Sequence, residues 1–397
     1  MEGHLYKPEF MQYRHFFLYA IILLPLLALL LQGCTLIGNE NKPPLKIGLV
    51  APFGGVRRFA GYDVLFGVKL AVKEWNERGG AAGRPIELVA QDDQDSSSGG
   101  RLQAQKMALD PAILGVIGHL DMASASAAEE VYREVGLPFL SLGIAPGRAE
   151  GGHPQAFHLA PPEDLVAEGA IGFAKGTLRA ARLAIVADSS AEGQLLAQAF
   201  RRAAAQEGLA VVAEENLAEE QVDFSGAVSR LNKASPDLVL FSGASVKGAS
   251  FWKAARQAGI GVTFLGSPQS YSVDFFRLAG PLSQGTYFLG LTPLAKDLSP
   301  ADPFTANYKA MWGAEPQEYG ARAYDAANLL LTAIDRAGGK REAVAQALTE
   351  VAQYSGVTGW LGFDEERRAP SSLYLYRIEG EGYSGRLVGE RVLTKLP

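Results

Sequence analysis

Residues 113–141, ILGVIGHLDMASASAAEEVYREVGLPFLS, contain one complete strand–helix–strand unit. The apolar run at 113–118 predicts a buried strand, and the Ala- and Ser-rich segment at about 124–135 predicts a helix. A second short strand is predicted at 138–141. Fully apolar strands that alternate with helices are typical of a parallel sheet covered by helices on both faces.

The same alternation extends outward from this unit along the chain. Further strands are predicted at 45–50, 86–90, 183–187, 210–213, 238–241, 262–265 and 373–377. Further helices are predicted at 67–78, 98–109, 193–208, about 224–233, 250–258, 303–312, 320–337 and 342–351. The pattern restarts after Pro161-Pro162, and 397 residues are too many for one ordinary core. We therefore expect an α/β protein with two lobes.

Composition excludes several classes of function. The net charge is −6 and the basic residues are scattered, which argues against a nucleic-acid partner. His119, His153 and His158 show no zinc-ligand spacing, and neither a nucleophile elbow nor a P-loop occurs in the sequence. The sequence therefore predicts no enzyme activity, no metal site and no cofactor.

The N-terminus has the features of an export signal. Polar residues precede an uninterrupted apolar run at 16–31, which is short for a membrane span and contains Pro25. Leu31-Gln32-Gly33-Cys34 resembles a bacterial lipobox, although a small residue is usual in place of Gln32. We expect a signal peptide at 1–33, an acylated Cys34, and a tether at 34–44 that anchors the protein outside the cytoplasm. An uncleaved signal anchor is the alternative.

Ordered motifs then resemble the leucine/isoleucine/valine-binding proteins, which are type I periplasmic binding proteins. Each motif is weak by itself, but together they run in order across nearly the whole chain after Cys34. The motifs are IGLVAP at 47–52, WNERGG at 75–80, GHL at 118–120, VYREVGL at 131–137, DFS at 223–225, and GVTG at 356–359 followed by Phe363-Asp364.

The resemblance implies two Rossmann-like lobes joined by a three-crossover hinge. The N-terminal lobe would comprise 45–160 and 291–361, and the C-terminal lobe 161–290 and 362–397. In this family the lobes close on a ligand, and an ABC permease in the cytoplasmic membrane recognises the closed form. Most members act as monomers.

The resemblance also implies a ligand site at the strand ends that face the cleft. Where the family binds an amino-acid carboxylate, this chain has Met122 beside Asp121, and a loop with Ala145 in place of threonine. Pro268, next to Gln269, stands where an acidic residue would pair with the ligand ammonium. The candidate ligand-binding residues are Arg57, Phe59, Asp121, Met122, Ser141, Gly143, Ile144, Ala145, Ala191, Ser245, Gln269, Tyr271 and Tyr319.

These departures predict a ligand other than a standard α-amino acid. An ammonium buried without a partner costs several kcal/mol. Arg57 and Arg58, expected in the first strand-end loop, have the geometry to fork a carboxylate. Structural alternatives exist for several residues: Asp121 as a helix N-cap, and Tyr271 and Tyr319 as packing residues.

We therefore expect a lipid-anchored binding protein that captures an amino-acid-like molecule, an amide or a small carboxylate for an ABC importer. A ligand-sensing lipoprotein that partners a signalling protein is the alternative, because the same fold also serves in sensors. A lipoprotein that binds a protein and no solute is a third possibility.

Overall fold

A computed structural model of the protein describes residues 42–144, 154–299, 303–351, 353–380 and 384–394. The predicted signal peptide at 1–33, Cys34 and most of the tether lie outside these ranges. The chain from Pro44 onward forms one unit. In the described part of the chain, none of the helices has the length and apolar character needed to cross a membrane.

The first sheet has five parallel strands in the order β2-β1-β3-β4-β5. They are β1 (Leu45–Ala51), β2 (Ile86–Asp92), β3 (Ile113–Gly118), β4 (Phe139–Ser141) and β5 (Ala156–His158). Helices α1 (Arg58–Glu77), α2 (Ser97–Leu109) and α3 (Met122–Glu134) connect the first four strands. The strand–helix alternation predicted for this half of the chain is confirmed; β5 was not predicted.

Neighbouring residues of the central strand pack on opposite faces of this sheet. Leu49 belongs to a core cluster with Leu329 and Leu330, whereas Val50 belongs to a cluster with Met107 and Tyr132. All these side chains are buried. Burial on both faces explains why the strands read as continuous apolar runs.

The second sheet has seven strands in the order β14-β13-β10-β9-β8-β6-β7. They are β6 (Arg182–Asp188), β7 (Ala210–Leu217), β8 (Leu238–Ser242), β9 (Thr263–Gly266), β10 (Tyr287–Gly290), β13 (Ser371–Glu379) and β14 (Ser384–Thr394). Its helices are α4 (Glu163–Gly176), α5 (Ala191–Gln206), α6 (Ser225–Ala234), α7 (Ser245–Gln257) and α8 (Val273–Ala279). The pairs β10–β13 and β13–β14 are antiparallel, and the other pairs in this sheet are parallel.

The chain changes sheet in three places. After β5 it enters the second lobe, and after β10 it returns through α9 (Phe304–Trp312), α10 (Gly320–Arg336) and α11 (Arg341–Thr349). The buried faces of α10 and α11 pack in the core of the first sheet. A small hairpin, β11 (Tyr354–Gly356) and β12 (Gly359–Leu361), precedes the last passage to β13. The lobe boundaries at 160, 290 and 361 stay a prediction.

α1 and α7 begin more than a turn earlier than the sequence predicts, α1 at Arg58 instead of residue 67 and α7 at Ser245 instead of 250. α3 and α5 begin two residues early, at Met122 and Ala191. The turns of α1 that the sequence did not predict contain Gly61, which lies so close to the Pro52 carbonyl that an added Cβ would overlap it. Glycine lowers helix propensity, so tertiary contact and not local preference stabilises this turn.

Candidate functional site

Arg57 connects three strand-end loops of the first lobe. It occupies the N-cap position of α1; its Nη1 donates to Asp95 Oδ1 at 3.0 Å and its Nη2 to the Leu120 carbonyl at 3.1 Å. Burial lowers its pKa, but Asp95, Tyr319, Glu192 and Asp121 raise it, and the net shift is upward. The expectation that Arg57 and Arg58 lie together in a loop is wrong, because Arg58 begins the helix and its Nη1 donates to the Gly55 carbonyl.

A buried network lies behind Asp95 and fixes its loop. His119 Nδ1 is 2.9 Å from Asp93 Oδ2, and His119 Nε2 is 3.3 Å from the Tyr132 hydroxyl. The other Asp93 oxygen accepts the backbone N–H of Asp95 at 3.1 Å. His119 and Asp93 are almost inaccessible to solvent. The network therefore positions Asp95, and through Asp95 the guanidinium of Arg57.

Five described residues of the predicted site lie in or beside the loops after β3 and β4. Asp121 is the N-cap of α3: it accepts from the backbone N–H of Ala123 and Ser124 and from the Ser124 hydroxyl. Met122 and Ser141 are buried. Asp121 thus has the role of a helix N-cap, which the sequence offered as the alternative to ligand binding.

Gly143 and Ile144 have packing roles in this loop. A Cβ at Gly143 would lie 2.6 Å from the Leu120 carbonyl oxygen, so the chain approaches its neighbour as only glycine allows. Ile144 is buried and belongs to the core cluster of the second lobe. Its predicted contact with a ligand stays a prediction. Ala145 lies outside the described residues.

The second lobe contributes a buried carboxylate that the sequence analysis did not single out. Glu192 follows the predicted Ala191 in the first turn of α5, and its Oε1 accepts from Gln269 Nε2 at 2.6 Å. Ala191 itself is exposed, and Ser245 is half-buried in the first turn of α7. Burial raises the pKa of Glu192 to about 7, and Arg57 and Gln269 oppose this rise.

Charges of the two lobes interact across the cleft. Arg57 belongs to the first lobe and Glu192 to the second, yet each shifts the pKa of the other. Helices α3 and α5, one from each lobe, are also in contact. Side chains of the two lobes therefore share a low-dielectric space in the described conformation.

A cavity of 750 Å³ lies between the lobes beside this charged cluster. Its walls come from the start of α1, from the segment before and within α8, from the second passage between the lobes, and from the segment that precedes α10. Three of the predicted site residues line it, namely Phe59, Tyr271 and Tyr319. Tyr271 also stacks on Phe288 and Tyr376, with ring centroids 5.4 Å and 5.6 Å away, so it packs in its lobe as well.

Asp63 fixes one wall of the cavity. Its carboxylate is buried and accepts four hydrogen bonds, from the Tyr308 hydroxyl and from the backbone N–H of Gln317, Tyr319 and Gly320. Burial raises the Asp63 pKa, and these four donors lower it. The segment 317–320 is thereby held against α1, with Glu318 and Tyr319 facing the cavity.

Glu318 is the second buried carboxylate that sequence reasoning missed. Its Oε1 accepts a long hydrogen bond of 3.4 Å from the Leu291 N–H, and its Oε2 is buried without a protein partner. Burial raises the pKa of Glu318 to about 7; Arg322 and the Leu291 N–H oppose the rise. A glutamate in a Pro-Gln-Glu-Tyr segment gives no local sign of burial, which arises from tertiary contacts.

Metal binding finds no support among the described residues. No group of three or more His, Cys, Asp or Glu side chains there has a metal-binding arrangement. The arrangement instead offers hydrogen-bonding groups and aromatic surface around an enclosed volume, which suits reversible binding of a small organic molecule.

Comparison with known proteins agrees with this architecture. The sequence model of a family described as "Periplasmic binding protein" matches residues 44–383. The Leu/Ile/Val-binding protein BraC3 of Rhizobium johnstonii is 27% identical over 354 residues, which cover 87% of this chain and 96% of that protein. A leucine-, isoleucine-, valine-, threonine- and alanine-binding protein of Pseudomonas aeruginosa is 25% identical over 325 residues, 81% of this chain and 86% of that protein.

Solved structures show the same fold. LivJ, a branched-chain amino acid transporter substrate binding protein from Streptococcus pneumoniae in complex with isoleucine, has a TM-score of 0.80 at 22% identity and covers 88% of this chain and 99% of its own. A solute binding protein of an ABC transporter from R. palustris, in complex with benzoate, has a TM-score of 0.76 at 21% identity and covers 88% and 97%.

Proposed function

Because the chain belongs to the periplasmic binding protein family, we propose that it captures a small molecule between its lobes and delivers it to an ABC importer. It has the type I fold, and like its relatives it is a non-enzymatic, extracytoplasmic solute-binding protein. The observation that supports capture is the 750 Å³ cavity lined by residues of both lobes, next to charges that interact across the cleft. Closure excludes water and strengthens the hydrogen bonds to an enclosed ligand.

The ligand class that we propose is an amino-acid-like molecule, an amide or a small carboxylate. The relatives named above bind branched-chain amino acids, and one fold neighbour binds benzoate. The sequence-based hypothesis of a ligand without an ammonium depended on Pro268 standing at the acidic position of the second lobe. Glu192, held by Gln269, supplies a carboxylate in that lobe, so a ligand with an ammonium or amide N–H remains in the class.

Ligand-dependent closure tests this function. We expect at least one compound in a library of amino acids, amides and small carboxylates to raise the melting temperature. The same compound should reduce the radius of gyration measured by small-angle X-ray scattering. If no compound does either, the capture function is refuted. A sensing role would give the same closure without stimulating the ATPase activity of a permease encoded beside the gene.

We also propose that the mature protein is a monomer anchored to the membrane through Cys34. The anchor rests on the lipobox-like Leu31-Gln32-Gly33-Cys34 and the apolar run before it. Metabolic labelling with radioactive palmitate should label the protein in cells, and the substitution Cys34→Ser should abolish labelling and release the protein from the membrane fraction. Equal labelling of both proteins would contradict the anchor.

A further inference from the structure

The cavity between the lobes is large for a single amino acid. Its 750 Å³ falls in the upper part of the range of roughly 300–1,000 Å³ that holds drug-sized ligands. It extends from Glu318 and Tyr319 along α1 to Tyr271 and Phe276 of the second lobe. A ligand that fills it needs a body larger than the side chain of leucine.

The walls of the cavity are mostly apolar and partly aromatic. Phe59, Tyr271, Phe276, Leu294, Pro316 and Tyr319 line it. Phe59, 43% exposed, and Val273, 51% exposed, lie at its margin, where large apolar side chains are left in contact with water. Aromatic rings of this kind pack against a flat apolar group in offset or edge-to-face contacts.

One oxygen in this apolar wall lacks a hydrogen-bond donor. Glu318 Oε2 is fully buried and has no protein partner, and Glu318 as a whole is 5% exposed. An unsatisfied buried acceptor costs about 1–3 kcal/mol, and more when it is charged. The oxygen has almost no surface open to the cavity, so a ligand donor reaches it by a turn of the Glu318 carboxylate toward the cavity, and this contact removes the cost.

The other carboxylates around the cavity are already satisfied. Asp63 accepts four hydrogen bonds, and the exposed Glu315 pairs with Lys309 Nζ at 2.5 Å. Arg322, the cation next to Glu318, donates to the Thr292 hydroxyl and to the Leu142 carbonyl. Lys296 lies at the exposed mouth. Among the described carboxylates that line the cavity, Glu318 is therefore the one with an oxygen that lacks a hydrogen-bond donor.

We propose that the ligand carries an amine on an aromatic or similarly flat apolar body, with the amine donating to Glu318 and the body between Phe59, Tyr271 and Tyr319. The inference rests on the proposed capture function and names the ligand class for it. Above the Glu318 pKa of about 7, a free carboxylate at the same point would face the ionised Glu318 and the nearby Asp63 without a donor of its own. At pH 8, benzoate and other simple anions are therefore poor ligands of this site.

Calorimetry with three probes tests the ligand class. The probes are 2-phenylethylamine, which has the ring and the amine; benzoate, which has the ring and an anion; and leucine, which has a zwitterion and a small body. We expect 2-phenylethylamine to bind at least 10-fold more tightly than benzoate or leucine. Tighter binding of benzoate or leucine, with closure of the lobes, overturns the amine assignment and leaves capture intact. No closure with any probe or library compound overturns both.

Matched variants test the role of Glu318 itself. Glu318→Gln should weaken binding of 2-phenylethylamine about 10- to 100-fold, the range for a hydrogen bond to a charged group. Glu130→Gln, the same change on an exposed carboxylate that pairs with Arg101 and does not line the cavity, should alter it less than 2-fold. Glu318→Asp, which keeps the charge but retracts it, should give an intermediate loss. Wild-type affinity in Glu318→Gln, or equal losses in Glu130→Gln, would overturn the assignment.

Discussion

Removing the charge of Glu318 should stabilise the ligand-free protein in alkaline solution. The carboxyl group is buried beside Asp63, and only Arg322, Arg57 and one N–H of the backbone oppose the cost of its ionisation. Glutamine has nearly the same shape and cannot ionise. We therefore expect Glu318→Gln to unfold at a higher urea concentration than the wild type at pH 8, and to lose this advantage at pH 4.

The magnitude follows from the pKa. Burial moves the Glu318 pKa from 4.5 to about 7, which corresponds to about 3 kcal/mol. Between these values the folded protein keeps a proton that the unfolded chain releases, so stability falls as the pH rises through this window. Above pH 7 the full cost is present. The N–H groups of the new amide lack a protein acceptor, which lowers stability by about 1 kcal/mol at every pH. The net gain in stability at pH 8 is therefore about 2 kcal/mol.

Urea unfolding of the ligand-free protein, followed by tryptophan fluorescence at pH 4, 6 and 8, measures this difference. Glu192 titrates in both proteins and cancels in the comparison. The control Glu315→Gln should change stability by less than about 0.5 kcal/mol at every pH, because its carboxylate is exposed. A gain for Glu318→Gln that is the same at pH 4 and pH 8, or a loss that grows with pH, would refute the reasoning.

Three further predictions concern backbone and buried charges, and urea unfolding measures each. Gly118→Ala should lower the free energy of unfolding by about 3 kcal/mol or more, because Gly118 has φ +137° and an added Cβ would overlap the Val50 carbonyl. Its control Gly136→Ala, at φ +64° in open space, should lower it by about 1 kcal/mol. Asp63→Asn should cost about 2–4 kcal/mol, since an amide cannot accept all four hydrogen bonds, and a loss under 1 kcal/mol would contradict its anchoring role. Arg57→Met should lower the free energy of unfolding by about 2 kcal/mol at pH 7, because it leaves the Asp95 carboxylate unpaired. The second substitution Asp95→Asn should recover most of that loss, and no recovery would show that the unpaired carboxylate is not its cause.

Sequence reasoning was accurate where the signal is local. Continuous apolar strands such as Ile113–Gly118 show that both faces of a strand are buried, and the sheet of the first lobe follows from them. It was inaccurate at the first turns of helices. The start of α1 contains Gly61, which local preference disfavours in a helix, and the Pro52 carbonyl lies where only glycine fits.

Of the candidate site, the sequence located the aromatic residues but not the carboxylates. Phe59, Tyr271 and Tyr319, predicted at strand ends that face the cleft, line one cavity. Ile144, also predicted to contact the ligand, is buried in the core cluster of the second lobe. Glu192 and Glu318 were missed because a glutamate on a helix start or in a loop is ordinarily solvated, and nothing in the neighbouring letters indicates burial.

The amino-acid sequence by itself determined the two α/β lobes, since the alternation of apolar strands and helices is a property of short segments. Its ordered motifs also indicated the family. Only the tertiary structure decided which polar atoms lack partners in the cleft between the lobes. Contacts between residues hundreds of positions apart, such as Asp63 with the segment 317–320, create that low-dielectric space, and the ionisation and hydrogen-bonding needs of a side chain depend on its surroundings in three dimensions.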